Sequence, residues 1–167
     1  MEHGDYQIDI LDANGLEIGR KLRRDVDKRN DIFSSVYVLV ISQKGTCFLA
    51  ALTTDSLFPS KLGLSVGSIV RHDETPDEAA IRALKGELDL DALPVKLGNH
   101  MVTLDIGARR SASAYYVIAD IELPEEGFRH VQLDKMDELL ERRSILADTL
   151  VWFWTEYGNT LKRLDLQ

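Results

Sequence analysis

The sequence predicts an α/β fold, a mixed β-sheet sandwiched between α-helices in one domain over residues 1–167. Three observations carry this expectation. VYVLVIS at 36–42 is almost continuously apolar and β-branched, as a buried central strand must be. Thr75-Pro76-Asp77-Glu78 has the order of a helix start: an N-cap, a proline in the first turn and a glutamate closing a capping box. Strand-like segments are interrupted by a few helical ones, which calls for a sheet with helices on its faces.

Taken in order, QIDIL (7–11) alternates as a strand, and Asp12-Ala13-Asn14-Gly15 follows as a hairpin turn, since Asn and Gly both tolerate positive φ. LEIGRKLRR returns as the second arm. DVDKRND (25–31) is charged and loop-like. After the 36–42 strand, Gln43-Lys44-Gly45-Thr46 turns the chain and CFLAAL runs back. TTDSLFPSKLG (53–63) connects, SVGSIV is a short strand with a glycine inside it, and RHDE is a loop. The helix opened by Thr75 carries an apolar stripe of Ala80, Leu84 and Leu88. VKLGNHMVTLDI and ASAYYVIADIEL pair around a turn at Gly107-Ala108-Arg109-Arg110. KMDELLERR is a short helix and ADTLVWFWTEYGNTLKRL a longer one.

The composition excludes several classes. A chain of 167 residues, 44% of them hydrophobic, is large enough to bury one real core. Its net charge of −8 disfavours broad phosphate-backbone binding, so no nucleic-acid polymer is expected as partner. The single cysteine, Cys47, forms no internal disulfide, and its apolar surroundings read as a packed thiol. No basic-then-apolar leader and no run near 20 apolar residues are present, so a cytoplasmic protein without a membrane partner is expected. No repeat or linker divides the chain.

The stretch from Gly67 to Leu90, GSIVRHDETPDEAAIRALKGELDL, carries the chemistry. It resembles the box of the Nudix hydrolase superfamily, G-x5-E-x7-R-E-U-x-E-E-x-G-U with U bulky and apolar. That resemblance implies a Nudix-style mixed sheet between helices. It also implies hydrolysis of a P–O–P linkage in a nucleoside-diphosphate-type substrate, with Mg²⁺ or Mn²⁺ held by helix glutamates at i, i+3 and i+4. Placed without gaps, Glu74, Arg82, Leu84, Glu87 and Leu90 match, while Ser68, Ala83, Gly86 and Asp89 depart. Ala83, Gly86 and Glu87 are the i, i+3, i+4 set, so two of three carboxylates are missing. The expectation is a degenerate box in which Glu87 is the remaining metal ligand and catalytic group, beside Arg82 and Glu74. A weak or altered hydrolase is one reading and a catalytically inactive domain binding a ligand or partner is the other.

The likeness continues outside the box. IDILDANGLEIGRKLRRDVDKRNDIFSSVYVLVIS, SLFPSKLGLSVGSIV and GFRHVQLDKMDELL resemble the branch that includes isopentenyl-diphosphate isomerases and their hydrolase relatives. The isomerases' metal histidines fall on Asp27, Phe33 and Ile69, and Cys47 lies outside the segment of their catalytic cysteine, so isomerase chemistry is not implied.

Blander readings stand beside these. Glu87 reads equally as an exposed helix glutamate, and Glu74 with Arg82 as a structural ion pair. Asp73, Asp77, Glu78 and Asp89 are nearby acids; Asp77 and Glu78 suit a helix N-terminus, whereas Asp89 sits where the dipole disfavours it and reads as solvated. His72, His100 and His130 have no metal spacing. Arg109 and Arg110, in the predicted turn, are phosphate-binding candidates, though a charged turn facing water is the commoner case. Trp152, Trp154 and Tyr157 suit core packing or a subunit contact, which leaves a homodimer open. The expected partner is a phosphorylated small molecule.

Overall fold

The computed structural model describes residues 6–54 and 56–166. In chain order the elements are β1 (Gln7–Leu11), β2 (Glu17–Leu22), β3 (Phe33–Ile41), β4 (Thr46–Ala51), β5 (Leu62–Gly63), β6 (Val66–Ile69), α1 (Pro76–Leu88), β7 (Val95–Thr103), β8 (Arg109–Ile118), β9 (Phe128–Gln132), α2 (Met136–Leu139) and α3 (Asp148–Lys162). Strands β1 and β2 form a two-stranded sheet. The other seven form one sheet of order β5-β4-β3-β8-β7, with β6 also paired to β3 and β9 to β4. This is the mixed sheet flanked by helices that the sequence predicts.

The chain resolves into two compact units. One comprises the chain up to Tyr37 with Gly67–Tyr115; the other comprises Val38–Val66 with the chain from Tyr116 onward. The dividing line passes through β3, β6 and β8.

In the first unit, β1 and β2 pair antiparallel from Gln7↔Leu22 to Ile10↔Gly19, then slip to Leu11↔Glu17 through a bulge. The turn differs in detail from the expected pair of positive-φ residues. Only Gly15 takes positive φ, at 86°, and the Asp12 carboxylate accepts from the N–H groups of Asn14 (2.8 Å) and Leu16 (3.0 Å). A side-chain acceptor thus replaces one of the turn's backbone partners. Ile8, Ile10 and Phe33 form a buried cluster, with Tyr6, Val26 and Ile69 packed against it.

Helix α1 starts as its sequence demands. Thr75 accepts from the Glu78 N–H at 3.1 Å, and the Glu78 carboxylate accepts from the Thr75 N–H at 2.9 Å. Its buried face is Ala79, Ala80, Ala83 and Leu84. Fully burying Leu84 contributes roughly 1.5–3 kcal/mol. Leu88 is only partly covered.

One expectation about position is corrected here. Arg109 and Arg110 are not in the turn between β7 and β8; they are the first two residues of β8. The turn closes one step earlier, where Gly107 adopts φ 93° and its N–H donates to the Leu104 carbonyl at 2.8 Å. Glycine at that position supplies the left-handed backbone, so the arginines are free to enter the strand.

In the second unit, β4 pairs antiparallel with β3, β5 and β9. Cys47, Phe48 and Leu49 are buried on it. Helix α3 buries Leu150, Phe153, Trp154, Tyr157 and Leu161. Trp154 Nε1 donates to Asp137 at 2.8 Å, which ties α3 to α2. Core packing therefore accounts for Trp154 and Tyr157.

Candidate functional site

The site lies in the first unit, where β6 runs through a tight loop into α1. Arg82, two turns into the helix, reaches back across that loop. Its Nε donates to Glu74 Oε2 at 2.7 Å, and Nη2 donates to Glu74 Oε1 at 2.9 Å. Nη2 also meets the Ile69 carbonyl at 3.1 Å, and Nη1 the Ser68 hydroxyl at 3.4 Å. Glu74 Oε1 accepts further from the Arg71 N–H at 3.0 Å. Burial opposes charge on Glu74, but the Arg82 hydrogen bonds, the Arg71 N–H and both guanidinium charges outweigh it, so its carboxyl titrates below the usual range. Arg82 is raised in turn, first by the hydrogen bond to Glu74 and also by the charge of Glu87. Two of the three expected catalytic residues, Glu74 and Arg82, are thus locked together, and Glu87 lies within electrostatic reach of Arg82.

The rest of the loop is equally committed. Asp73 takes φ 68°, a left-handed conformation that aspartate tolerates better than most side chains. His72 sits between two carboxylates, with Nδ1 2.8 Å from Asp9 and Nε2 3.1 Å from Asp73. The His72 backbone N–H donates to the Gln7 carbonyl at 2.8 Å. The Arg71 guanidinium lies over the Tyr6 ring, 4.1 Å from the centroid. Its Nε is out of contact with solvent and has no hydrogen-bond partner among the described residues. A buried donor left this way costs about 1–3 kcal/mol.

On the helix face that the box assigns to metal, Glu87 stands alone. Ala83 is buried at 3% exposure, and a Cβ added at Gly86 would meet nothing within 4 Å. Glu87 is exposed as a residue, yet loss of hydration pushes its carboxyl up to about 7, with Arg82 pulling the other way. The exposure sets the limit, because solvent screens whatever the shift contributes to stability.

Asp89, in the position of the box glycine, is the C-cap of α1 with φ 52°. It keeps the left-handed backbone that glycine usually supplies at a helix end. Its exposed carboxylate pairs with Lys85 at 2.8 Å, which holds its titration low. Asp77 accepts from the Tyr115 hydroxyl at 2.6 Å.

The phosphate candidates lie elsewhere in the unit. Arg110 is buried, with its guanidinium 4.0 Å from the Phe33 ring centroid, and donates to the carbonyls of Lys28 and Arg109. Arg109 is exposed. Among the described residues, neither makes a hydrogen bond or ion pair to Glu74, Arg82 or Glu87.

A divalent cation fits this donor set poorly. Mg²⁺ binds through one or two carboxylates with retained waters and ligand phosphates, and this helix face supplies a single one, Glu87. Among the described residues, no group of three or more His, Cys, Asp or Glu side chains converges as a metal site. Glu87 would be the protein ligand if a phosphorylated molecule brought the ion with it. Sequence reading passed over Arg71, Tyr6 and Asp9. Contacts between the box loop and the chain around β1 join residues more than 60 positions apart and leave no local signal.

No protein-family model matches the chain. An uncharacterized Nudix hydrolase of Streptomyces coelicolor is 32% identical over 95 residues, 56% of this chain and 52% of that protein. The match thus spans about half the length of that relative. Among solved structures, one from Deinococcus radiodurans superposes with a TM-score of 0.72 at 20% identity, covering 90% of this chain and 99% of its own. A Nudix hydrolase from M. smegmatis gives 0.60 at 16% identity, over 94% of this chain and 97% of its own. A MutT protein from Methanosarcina mazei gives 0.56 at 23% identity, over 83% and 97%. At these identities the likeness is one of fold, and the chain has the fold of Nudix hydrolases.

Proposed function

We propose that this is a Nudix-superfamily domain, similar to the isopentenyl-diphosphate-isomerase-like branch, that binds a small phosphorylated molecule of the nucleoside-diphosphate class. Any hydrolysis it carries out is slow. One observation supports this above the others. The box loop and its Glu74–Arg82 lock are intact, while the adjoining helix face offers Glu87 between a buried Ala83 and a bare Gly86. The part that shapes a phosphate site is kept, and most of the part that concentrates metal is missing.

A specific observation favours slow hydrolysis as the second reading. A carboxyl titrating at about 7 suits a general base near neutral pH. In that reading Glu87 takes a proton from water, the water oxygen bonds to phosphorus, and the bridging P–O bond breaks with its electron pair leaving on the departing phosphate. The experiment is calorimetric binding of nucleoside diphosphate derivatives, run beside phosphate release with Mg²⁺ and then Mn²⁺, for the wild type and Glu87→Gln. Binding with negligible turnover supports the first reading. Turnover lost in Glu87→Gln supports the second, and the absence of both binding and turnover refutes the reading as a whole.

A further inference from the structure

We infer that Arg71 is an anion-binding residue, whose guanidinium, laid on the Tyr6 ring and without a hydrogen-bond acceptor among the described residues, receives the phosphate oxygens of a bound ligand. This rests on the proposed ligand-binding reading and adds the residue that would hold the ligand's charge.

The loop's other charges are spoken for. Glu74 is neutralised by Arg82, whose donors also serve Ile69 and Ser68. Asp9 and Asp73 both face His72. Among the described residues, no carboxylate or carbonyl accepts from the Arg71 side chain. Its charge acts on Glu74 at a distance, but it is the loop cation without a hydrogen-bonded acceptor among the described residues, on a chain whose net charge is −8. Long-range attraction of an anion is unfavourable here, so recognition has to be local.

Arg71 is also pre-positioned. Its backbone N–H is held by Glu74, and its carbonyl accepts from the Glu74 N–H at 3.1 Å. The Tyr6 ring fixes the guanidinium plane, and Tyr6 is itself packed on the Ile8–Ile10–Phe33 cluster. A planar fork fixed in this way loses little freedom when it takes a phosphate in two-point fashion. A buried Nε without an acceptor among the described residues is a poor choice for stability alone, and binding sites are where such costs persist.

The test uses pyrophosphate and ADP as probes, titrated calorimetrically at low salt into the full chain, with ligand-free thermal unfolding measured in parallel. Arg71→Ala is expected to weaken both probes by about 10- to 100-fold. Its ligand-free unfolding temperature should stay the same or rise, because an unpartnered buried donor is removed. Arg71→Lys should fall between, keeping the charge without the fork, and Tyr6→Leu should weaken binding in the same direction. If the wild type binds pyrophosphate and Arg71→Ala binds it equally well, the inference fails while the ligand-binding reading stands. If Arg71→Ala loses thermal stability and Arg71→Lys binds as the wild type does, Arg71 is structural and the inference also fails. A wild type that binds neither probe overturns this inference and the proposed function together.

Discussion

Among the described residues two glycines sit inside helices, and the same substitution at each should move stability in opposite directions. At Gly86 in α1, an added Cβ meets nothing within 4 Å. Alanine there gains the helix-propensity difference of about 1 kcal/mol, reduced toward 0.5 by the position near the helix end. At Gly158 in α3, the added Cβ would lie 2.7 Å from Trp154 Cε2 and 2.9 Å from its Nε1. The ring must move, and moving it disturbs the 2.8 Å hydrogen bond to Asp137. Overpacking of this kind costs about 1–3 kcal/mol, more than the propensity gain. With an m-value near 2 kcal/mol/M, Gly86→Ala should raise the urea midpoint by about 0.3–0.5 M, and Gly158→Ala, net of its propensity gain, should lower it by up to about 1 M. Far-UV circular dichroism follows the whole chain, and tryptophan fluorescence follows α3, which carries Trp152 and Trp154. Coincident curves are needed before either shift is read as a free energy. A loss of stability in Gly86→Ala would refute the reasoning, since it would mean that something occupies the space beside that glycine. The result also bears on function: a glycine whose replacement stabilises the fold is not held there by packing.

Other outcomes follow from the same geometry. Arg82→Ala strands the Glu74 carboxylate at 14% side-chain exposure and should cost about 2–3 kcal/mol, or roughly 5–10 °C in melting temperature, with a Glu74→Ala double-mutant cycle returning a coupling. Glu87 titrates at about 7 in the fold against an ordinary value of 4.5, so its charged form is penalised above pH 7 and the penalty vanishes as pH falls through 4.5. Glu87→Gln should accordingly melt higher than wild type at pH 8 and equally at pH 4.5, with solvent screening keeping the difference small; a constant difference across that range contradicts the burial argument. Cys47 is wholly buried and its thiol is pushed up to about 12 by lost hydration, so a thiol reagent should react only at the rate of unfolding, and fast native labelling would disprove the packing.

Much of this protein was legible in its residues because the signals were local. Thr75, Pro76 and Glu78 specify a helix start within four residues, and the 36–42 run announces its burial by its own side chains. The box loop with its Glu74–Arg82 pair was legible because a motif of fixed spacing needs no knowledge of distant chain. Asp89 was only half legible. Its charge invited a solvated reading, and its backbone at φ 52° shows that it also holds the left-handed helix end that glycine usually supplies.

What tertiary structure alone decided involves groups far apart in sequence. Whether Gly86 is crowded or open, and whether Gly158 is, depends on what approaches the helix; identical residues in identical elements answer differently. The turn that releases Arg109 and Arg110 into β8 is set by Gly107, and the fate of Arg110 by the carbonyls of Lys28 and Arg109 and the Phe33 ring. Arg71 owes its significance to Tyr6, 65 positions earlier in the numbering. Charge and hydrophobic period are properties of a sequence, whereas desolvation and partner availability are properties of a surrounding that only the folded chain creates.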